Sequence, residues 1–168
     1  KLLQIASGAV YSTSGSYEVI DTSRYEMLLD LAEVRKHPLM FFLWQHQRDL
    51  LVAEAERRSM TFAVIDGSTS DAERHGIAAR YQLGEYDVLF AHPKTTAHGF
   101  TFTKGTSTIW PGPTHDLEWF KQGSRRQARI GQKEKTEVIT VLAEDSREID
   151  VYDGILMPKD GRMSNLLS

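Results

Sequence analysis

Residues 39–58 read LMFFLWQHQRDLLVAEAERR, and this stretch decides the fold class. Its first part, Leu39 to Trp44, is an apolar run of the length of a buried strand, too short to cross a bilayer. Gln47 to Arg58 follows with the mixed spacing of an amphipathic helix. An apolar strand that leads into such a helix is typical of a parallel sheet covered by helices.

The same unit recurs along the whole chain. The predicted strands are 39–44, 61–65, 86–90, 107–110 and 137–142, and the predicted helices are 23–36, 47–58, 71–83, 114–128 and 146–157. Side-chain oxygens that can cap these helices are found on Thr22 or Ser23, on Ser70 and on Thr114. The alternation predicts an α/β fold, a three-layer sandwich with a mainly parallel central sheet flanked by helices.

Composition limits the classes of protein that this chain can represent. Its 168 residues suit one domain, because a chain of this size buries about 70% of its unfolded surface. With 40% hydrophobic and 26% charged residues, neither disorder nor a membrane span is indicated. The absence of cysteine excludes disulfides and thiolate metal sites and fits a reducing cytoplasm. A net charge of -3 means that any hold on nucleic acid must come from a local basic patch.

The two ends of the chain differ in composition from its centre. Lys1 stands where a complete protein has methionine, and no leader pattern follows it, so we expect a fragment of a longer protein. Residues 1–22 are rich in Ser, Gly and Tyr and are interpreted as a linking segment from an upstream domain. The main domain is predicted at 23–157, followed by a polar tail at 158–168.

The stretch 122–132, QGSRRQARIGQ, carries the most specific pattern. Arg126 and Arg129 lie four and seven residues after Gln122, a spacing that places them on one face of the predicted helix. Two guanidinium groups on one face, each able to bind phosphate oxygens in a fork, suit the charge on a transferring phosphoryl group. The alternative is a solvated basic helix end, which the helix dipole favours.

This stretch resembles the sixth motif of superfamily-two helicases, and its closing RIGQ is similar to the Swi/Snf-like translocases and their phage and bacterial relatives. The resemblance implies the C-terminal RecA-like lobe of such a motor. It implies that Gln122 lines the ATP cleft, that Arg129 is the arginine finger and that Arg126 makes a second phosphate or interdomain contact. The family's usual histidine is Ala128 here.

The stretch 92–102, HPKTTAHGFTF, follows a predicted core strand. Its turn of small hydroxyl residues leaves three side chains free to meet a sugar-phosphate backbone: Lys94, Thr95 and Thr96. The stretch resembles the fifth helicase motif, which implies that Gly99 belongs to the ATP cleft, although the family's glycine pair is reduced to His98-Gly99 and its common Asn is Thr101. The alternative is an ordinary strand-to-helix loop.

Further segments resemble the same family in the right order. Residues 65–69, IDGST, together with Arg74, are similar to a family turn near the DNA backbone, which implies nucleic-acid contacts for Ser68, Thr69 and Arg74. Asp-Gly is also a common turn pair, so a plain turn is the alternative. Residues 41–46 resemble the fourth motif, and residues 1–11 resemble the segment that links the two motor lobes.

Two elements of a complete motor are absent from the sequence. The stretch Lys104-Gly105-Thr106 has its lysine before its glycine and is not a phosphate loop, and no acidic pair follows an apolar strand. The resemblance therefore implies that ATP and Mg²⁺ are held mainly by an N-terminal lobe outside this chain, and that the isolated fragment is inactive. Six histidines are present, but their spacing predicts no metal site.

The resemblance implies the second motor lobe of an ATP-dependent DNA helicase or translocase. Its expected partners are double-stranded DNA and the N-terminal lobe, with no membrane, in the cytoplasm of a bacterial or phage-infected cell. One alternative is a non-catalytic RecA-like module that binds nucleic acid or protein. A second is a Rossmann-type enzyme acting on a small molecule, which the lack of a Gly-x-Gly-x-x-Gly turn after any strand disfavours.

Overall fold

Helices and strands alternate through residues 1–96 and 99–157, the part of the chain that the computed structural model describes. The strands are β1 (Ala9–Tyr11), β2 (Tyr17–Val19), β3 (Leu39–Phe41), β4 (Phe62–Ile65), β5 (Val88–Ala91), β6 (Ser107–Trp110) and β7 (Glu137–Thr140). The helices are α1 (Leu2–Ala6), α2 (Ser23–Glu33), α3 (Gln45–Arg57), α4 (Asp71–Gln82), α5 (Leu117–Ser124) and α6 (Arg147–Val151). A 3-10 turn spans Pro93–Thr96 and a π-helical turn spans Tyr152–Leu156. His98 and the predicted tail, 158–168, lie outside the described residues.

The central sheet has five strands in the order β4-β5-β3-β6-β7, and each neighbouring pair is parallel. The predicted α/β class with a parallel sheet is thereby confirmed, and each of the five predicted strands is present. The central strand β3 is buried along its whole length, with Leu39 opposite Leu89 on one side and Thr108 on the other. A strand covered on both faces has no solvent side, which explains the continuous apolar run in the sequence.

Two hydrophobic cores, one on each face of the sheet, make the three layers. On one face α2 and α3 pack against alternate strand residues: Leu28, Leu29, Leu51 and Ala55 contact Met40, Phe90 and Ile109. On the other face α4, α5 and the π-helical turn pack against the remaining residues: Tyr81, Phe120 and Leu156 contact Phe41, Leu89 and Trp110. Successive strand residues point to opposite faces, so each of the five strands of the central sheet contributes to both cores.

The helix ends agree only in part with the predicted caps. Ser70 caps α4 through a capping box with Glu73, as predicted. Thr22 occupies the position before α2 but makes no side-chain cap, because the Asp21 carboxylate accepts from the amide of Ser23 instead, at 3.2 Å. The cap predicted at Thr114 is also wrong.

The fourth predicted helix, 114–128, is shorter at both ends. It begins after Asp116, whose carboxylate accepts from the amide of Trp119 at 2.9 Å. It ends at Ser124, because the Arg126 amide donates to the Gly123 carbonyl and the Arg126 carbonyl accepts from the Phe102 amide at 3.2 Å. A hydrogen bond to another part of the chain thus replaces the next helical one. The predicted helix 146–157 is divided into α6 and the π-helical turn.

The first 22 residues pack on the helices α2 and α3. The strands β1 and β2 form an antiparallel hairpin. The Ser7 hydroxyl lies 2.7 Å from Nε2 of the buried His46, and the Tyr25 hydroxyl donates to the Ser7 carbonyl at 2.6 Å. The Tyr11 hydroxyl lies 3.1 Å from Nδ1 of the same histidine. Contacts on both ring nitrogens of His46 therefore fasten this segment to α3.

A buried ion pair joins elements that are far apart in the sequence. Arg24 of α2 and Glu148 of α6 are 2.8 Å apart, with side chains only 8% and 1% exposed. Arg24 also donates to the carbonyls of Pro111 and Ala6, and Glu148 accepts from the amide of Ala143 at 2.7 Å. The pair thus connects α1, α2, the loop after β6 and α6.

The buried His46 is expected to make the fold less stable in mild acid. Burial lowers the pKa of His46 to about 4, below its ordinary value of 6.5, so the unfolded chain takes up a proton before the folded chain does. The contribution of the neutral His46 ring to the free energy of unfolding is complete above pH 6.5 and is lost as the pH falls towards 4. Thermal unfolding of the wild type and of His46→Gln between these values measures the effect. The difference between their melting temperatures should narrow as the pH falls; a difference independent of pH would contradict the prediction.

None of the helices in the described ranges is both long enough and apolar enough to cross a membrane.

Candidate functional site

The loops that follow β4 and β5 lie side by side at the carboxyl edge of the sheet, because these two strands are neighbours. In the second loop Lys94 is exposed, but Thr95 and Thr96 are buried. The Thr95 hydroxyl donates to the His92 carbonyl at 2.7 Å, and the Thr96 hydroxyl donates to the Pro93 carbonyl at 3.0 Å. Both threonines therefore shape the turn, and Lys94 is the member of this set that faces solvent.

Asp66 organises the loop after β4. Its carboxylate accepts from the amide and hydroxyl of Ser68, at 2.9 and 2.6 Å, and its own amide donates to the Thr69 hydroxyl. Arg48 of α3 donates to the same carboxylate at 2.9 Å. Burial alone raises the pKa of Asp66, but the hydrogen bonds from Ser68 and Arg48 outweigh it and lower the pKa below its usual value. The loop is thus held in one conformation with Ser68 exposed.

Arg74 lies against the inner side of this loop. One of its terminal nitrogens is 3.4 Å from the Asp66 carbonyl, and another is 3.5 Å from the Asp71 carboxylate. The Arg74 side chain is 16% exposed and stabilises the loop from its inner side. Three acidic residues lie in or next to this loop, Asp66, Asp71 and Glu73, so the loop has no excess of positive charge. The groups that it can offer to a ligand are hydroxyl and amide groups.

Arg126 and Arg129 do not share a helical face, and that prediction is wrong. Helix α5 ends at Ser124, so both arginines lie in the connection to β7. Arg126 is 2% exposed and turned into the domain, whereas Arg129 is exposed. The physical reason is the bond of the Arg126 carbonyl to Phe102, which draws the chain away from the helical path.

Arg126 is a buried cation without a counter-ion among residues 1–96 and 99–157. One of its terminal nitrogens donates weakly to the Phe100 carbonyl at 3.4 Å, and its Nε has no hydrogen-bond partner within the same part of the chain. Burial, together with the nearby charge of Arg129, lowers its pKa to about 10. A buried charge is costly unless it is paired, so this environment favours an anion close to the guanidinium group.

A tight turn presents Arg129 to solvent. The Gln132 amide donates to the Arg129 carbonyl at 3.0 Å and closes a four-residue turn. Gly131 has φ +101°, a conformation that side-chain-bearing residues rarely adopt. Ile130 at the corner is fully exposed. The RIGQ sequence therefore forms a turn that the hydrogen bond between Gln132 and Arg129 closes and that the positive φ of Gly131 permits.

The two predicted residues of the ATP cleft lie on different elements. Gln122 is exposed on α5 and donates to Glu118 one turn earlier, at 2.7 Å. Gly99 lies in the connection between β5 and β6 with φ +78°, and the space beside its Cα is open. The next residue, Phe100, supplies the carbonyl that contacts Arg126, so Gly99 adjoins a contact of Arg126. The side-chain bond of Gln122 lies within α5.

The structure thus groups the predicted residues into two sets. Lys94, Ser68 and Thr69 lie at the carboxyl edge of β4 and β5. In the connection between β5 and β6, Arg126 contacts the carbonyl of Phe100, the residue that follows Gly99. Since this connection begins at the loop that carries Lys94, the two sets share one segment of backbone.

Sequence reasoning missed Gln127. This side chain is buried between Tyr81, whose hydroxyl is 3.0 Å from Nε2, and Thr108, whose hydroxyl is 3.2 Å from Oε1. Nε2 also donates to the His37 carbonyl at 3.3 Å. A glutamine within a polar, arginine-rich stretch carries no signal of burial, so no pattern in the sequence identifies it.

In the ranges 1–96 and 99–157 no group of three histidine, aspartate or glutamate side chains is arranged to hold a metal ion.

No protein-family profile matches the chain. Among curated proteins, it is 27% identical over 155 residues to protein p41 of Acyrthosiphon pisum secondary endosymbiont phage 1. That alignment includes 87% of this chain and 32% of the phage protein. The chain therefore spans about a third of the length of its curated relative.

Solved structures with a similar fold include the C-terminal part of the Fun30 ATPase domain, with a TM-score of 0.74 and 17% identity over 86% of this chain and 52% of that one. The C-terminal domain of the DEAD-box protein Dbp5 has a TM-score of 0.64 and 13% identity, over 80% of this chain and 77% of that one. S. cerevisiae Dbp5 bound to Gle1 and IP6 has a TM-score of 0.63 and 13% identity, over 79% of this chain and 35% of that one.

These likenesses establish the fold. The chain has the RecA-like architecture of helicase C-terminal domains, as the sequence predicts.

Proposed function

We propose that this chain is the second motor lobe of an ATP-dependent nucleic-acid translocase of the Swi/Snf-like type. The observation that carries the proposal is the buried Arg126, which has no counter-ion among the described residues and lies near the exposed Arg129. The RecA-like fold supports the lobe assignment. The similarity to a phage protein supports a phage or bacterial origin, with action in the cytoplasm of the host cell.

The residues present fit the phosphates of ATP, whose bound form supplies a phosphoryl group for transfer to water. Arg129 is exposed and able to bind oxygens of the γ-phosphate in a fork. Arg126 holds positive charge behind it and makes the second phosphate or interdomain contact. Gly99 and Gln122 border the cleft. The described part of this chain offers no cluster of carboxylates for Mg²⁺, so the ligands of the metal belong to an N-terminal lobe.

Nucleic acid would lie along the carboxyl edge of β4 and β5. There Lys94 supplies a positive charge, and Thr69 supplies a hydroxyl that is free to donate because it accepts from the Asp66 amide. The Ser68 hydroxyl donates to the Asp66 carboxylate and would exchange that bond for one to a phosphate. Asp66 and Arg74 hold the loop in place. Contacts of this kind are made with phosphates and carry no sequence information. Double-stranded DNA is the proposed track.

The test is ATP hydrolysis by the full-length protein with and without duplex DNA. The proposal expects hydrolysis that rises when duplex is added, and no hydrolysis by residues 1–168 alone. Hydrolysis by this chain alone would contradict it. Salt-dependent duplex binding by a full-length protein that does not hydrolyse ATP would favour the alternative of a non-catalytic binding module.

Lys94→Ala is expected to weaken duplex binding by the full-length protein without changing which sequences it prefers. Loss of one phosphate contact should reduce the slope of log K against log salt by about one. The control is Lys104→Ala, because Lys104 precedes β6 at the opposite edge of the sheet. Binding titrations at several salt concentrations measure both variants. An unchanged slope for Lys94→Ala would remove this lysine from the track.

A further inference from the structure

The side chain of Gln132 is bonded on both of its polar atoms. Its Nε2 donates to the carbonyls of Thr103, Gly105 and Gln127, at 3.1, 2.9 and 3.2 Å. Its Oε1 accepts from the amides of Lys133 and Glu134, at 2.9 and 3.0 Å. A single amide group thus ties the end of the Arg129–Gln132 turn to the segment that leads into β6.

The other end of the turn is fixed by Gln127. Its side chain is bonded to Tyr81 of α4, to Thr108 of β6 and to the carbonyl of His37 before β3, and its own carbonyl accepts from Gln132. Between these two anchored glutamines, residues 128–131 are all exposed. The exposed tip therefore has fixed ends but makes few contacts of its own.

The anchors decide how much conformational freedom Arg129 retains. An unanchored loop residue loses backbone entropy when it is ordered, and a residue already held in place avoids this loss. A group that acts on a transition state contributes most when its position is set in advance. Arg129 itself has no ion pair within the described ranges, so its direction depends on the backbone of the turn.

We propose that Gln132 is a positioning residue for Arg129: it acts through the turn and not by touching nucleotide. The inference rests on the proposed function, because it assigns a role within the same site. The carboxamide donors are the essential groups, since they reach two carbonyls of the segment before β6 and the Gln127 carbonyl at the other end of the turn.

The first test replaces Gln132 in the full-length protein. Gln132→Ala should lower kcat for ATP hydrolysis by roughly 10- to 100-fold, the scale expected when a reacting group is misplaced by about 1 Å, and leave KM for ATP nearly unchanged. Gln132→Glu should lose at least as much, because a carboxylate cannot donate to the three carbonyls. Loss of activity in Gln132→Ala with full activity in Gln132→Glu would overturn the assignment to the donors.

The matched control is Gln82→Ala. Gln82 of α4 bonds to Thr103 and Lys104 of the same segment, at 3.1 and 3.0 Å, but does not touch the turn. It should leave kcat unchanged. An equal loss in Gln82→Ala would show that general loosening of this segment, and not release of the turn, causes the effect.

A double-mutant cycle with Arg129→Ala separates positioning from simple destabilisation. If Gln132 acts through Arg129, Gln132→Ala should cause almost no further loss of kcat in the Arg129→Ala background. The same fold loss in both backgrounds, or no loss in either, would overturn the inference while leaving the proposed function intact. Full activity of Arg129→Ala alone would instead contradict the proposed function.

Discussion

Arg129→Ala in the full-length protein should lower kcat for ATP hydrolysis by about 10³-fold or more. Arg129 is exposed at the head of a closed turn, and the next cation, Arg126, is buried and cannot easily take its place. The charge that develops on a transferring phosphoryl group would lose its contact from this lobe. Steady-state rates with saturating duplex DNA measure the change.

The control is Arg125→Ala. Arg125 is exposed in the same connection and directly follows α5, but it lies outside the pair at offsets four and seven from Gln122. Its removal tests whether any positive charge in this region suffices, and we expect a change of only a few fold, as for an exposed charge. Similar losses in the two variants would show a general electrostatic effect and no finger at Arg129.

Glu148→Ala is expected to destabilise the fold by about 3–5 kcal/mol, because it leaves the Arg24 guanidinium buried without its carboxylate. The amide of Ala143 loses its acceptor at the same time. Such a loss is a large part of the stability of a domain this size. Denaturant unfolding of residues 1–168 measures the free energy.

Two companion variants give this measurement its control. Arg147→Ala removes an exposed pair with Asp150 on the same helix and should cost no more than about 1 kcal/mol. Replacing both buried partners, Arg24→Met with Glu148→Leu, should recover much of the loss, because no unpaired charge then remains. A cost for Glu148→Ala as small as that for Arg147→Ala would show that Arg24 finds another partner.

The order of strands and helices could be predicted because burial produces a recognisable pattern in the local sequence. Strand β3 is covered on both faces and appears as a continuous apolar run, and the capping box of α4 is contained within Ser70 and Glu73. No local sequence pattern marks the end of α5. It depends on Phe102, a residue distant in sequence, whose amide donates to the Arg126 carbonyl.

The sequence indicated which segments follow the strands but not which of their side chains are buried. Lys94 and Ser68 each follow a strand in the sequence, and the structure places both at the carboxyl edge of the sheet. The same reasoning treated Thr95 and Thr96 as free, yet their hydroxyl groups are used within the turn. The burial of Arg126 could not be predicted, because a buried cation without a counter-ion is unfavourable and no local sequence pattern indicates one.

The anchoring of the leading segment has a mechanical consequence. Ser7 is joined to α3 through His46, and Ala6 to α2 and α6 through Arg24, so a load applied to α1 is shared at once by helices on opposite ends of the sequence. Detachment of the first helix therefore requires the loss of its contacts with both His46 and Arg24. A force on that helix would be transmitted through these two side chains to α2, α3 and α6.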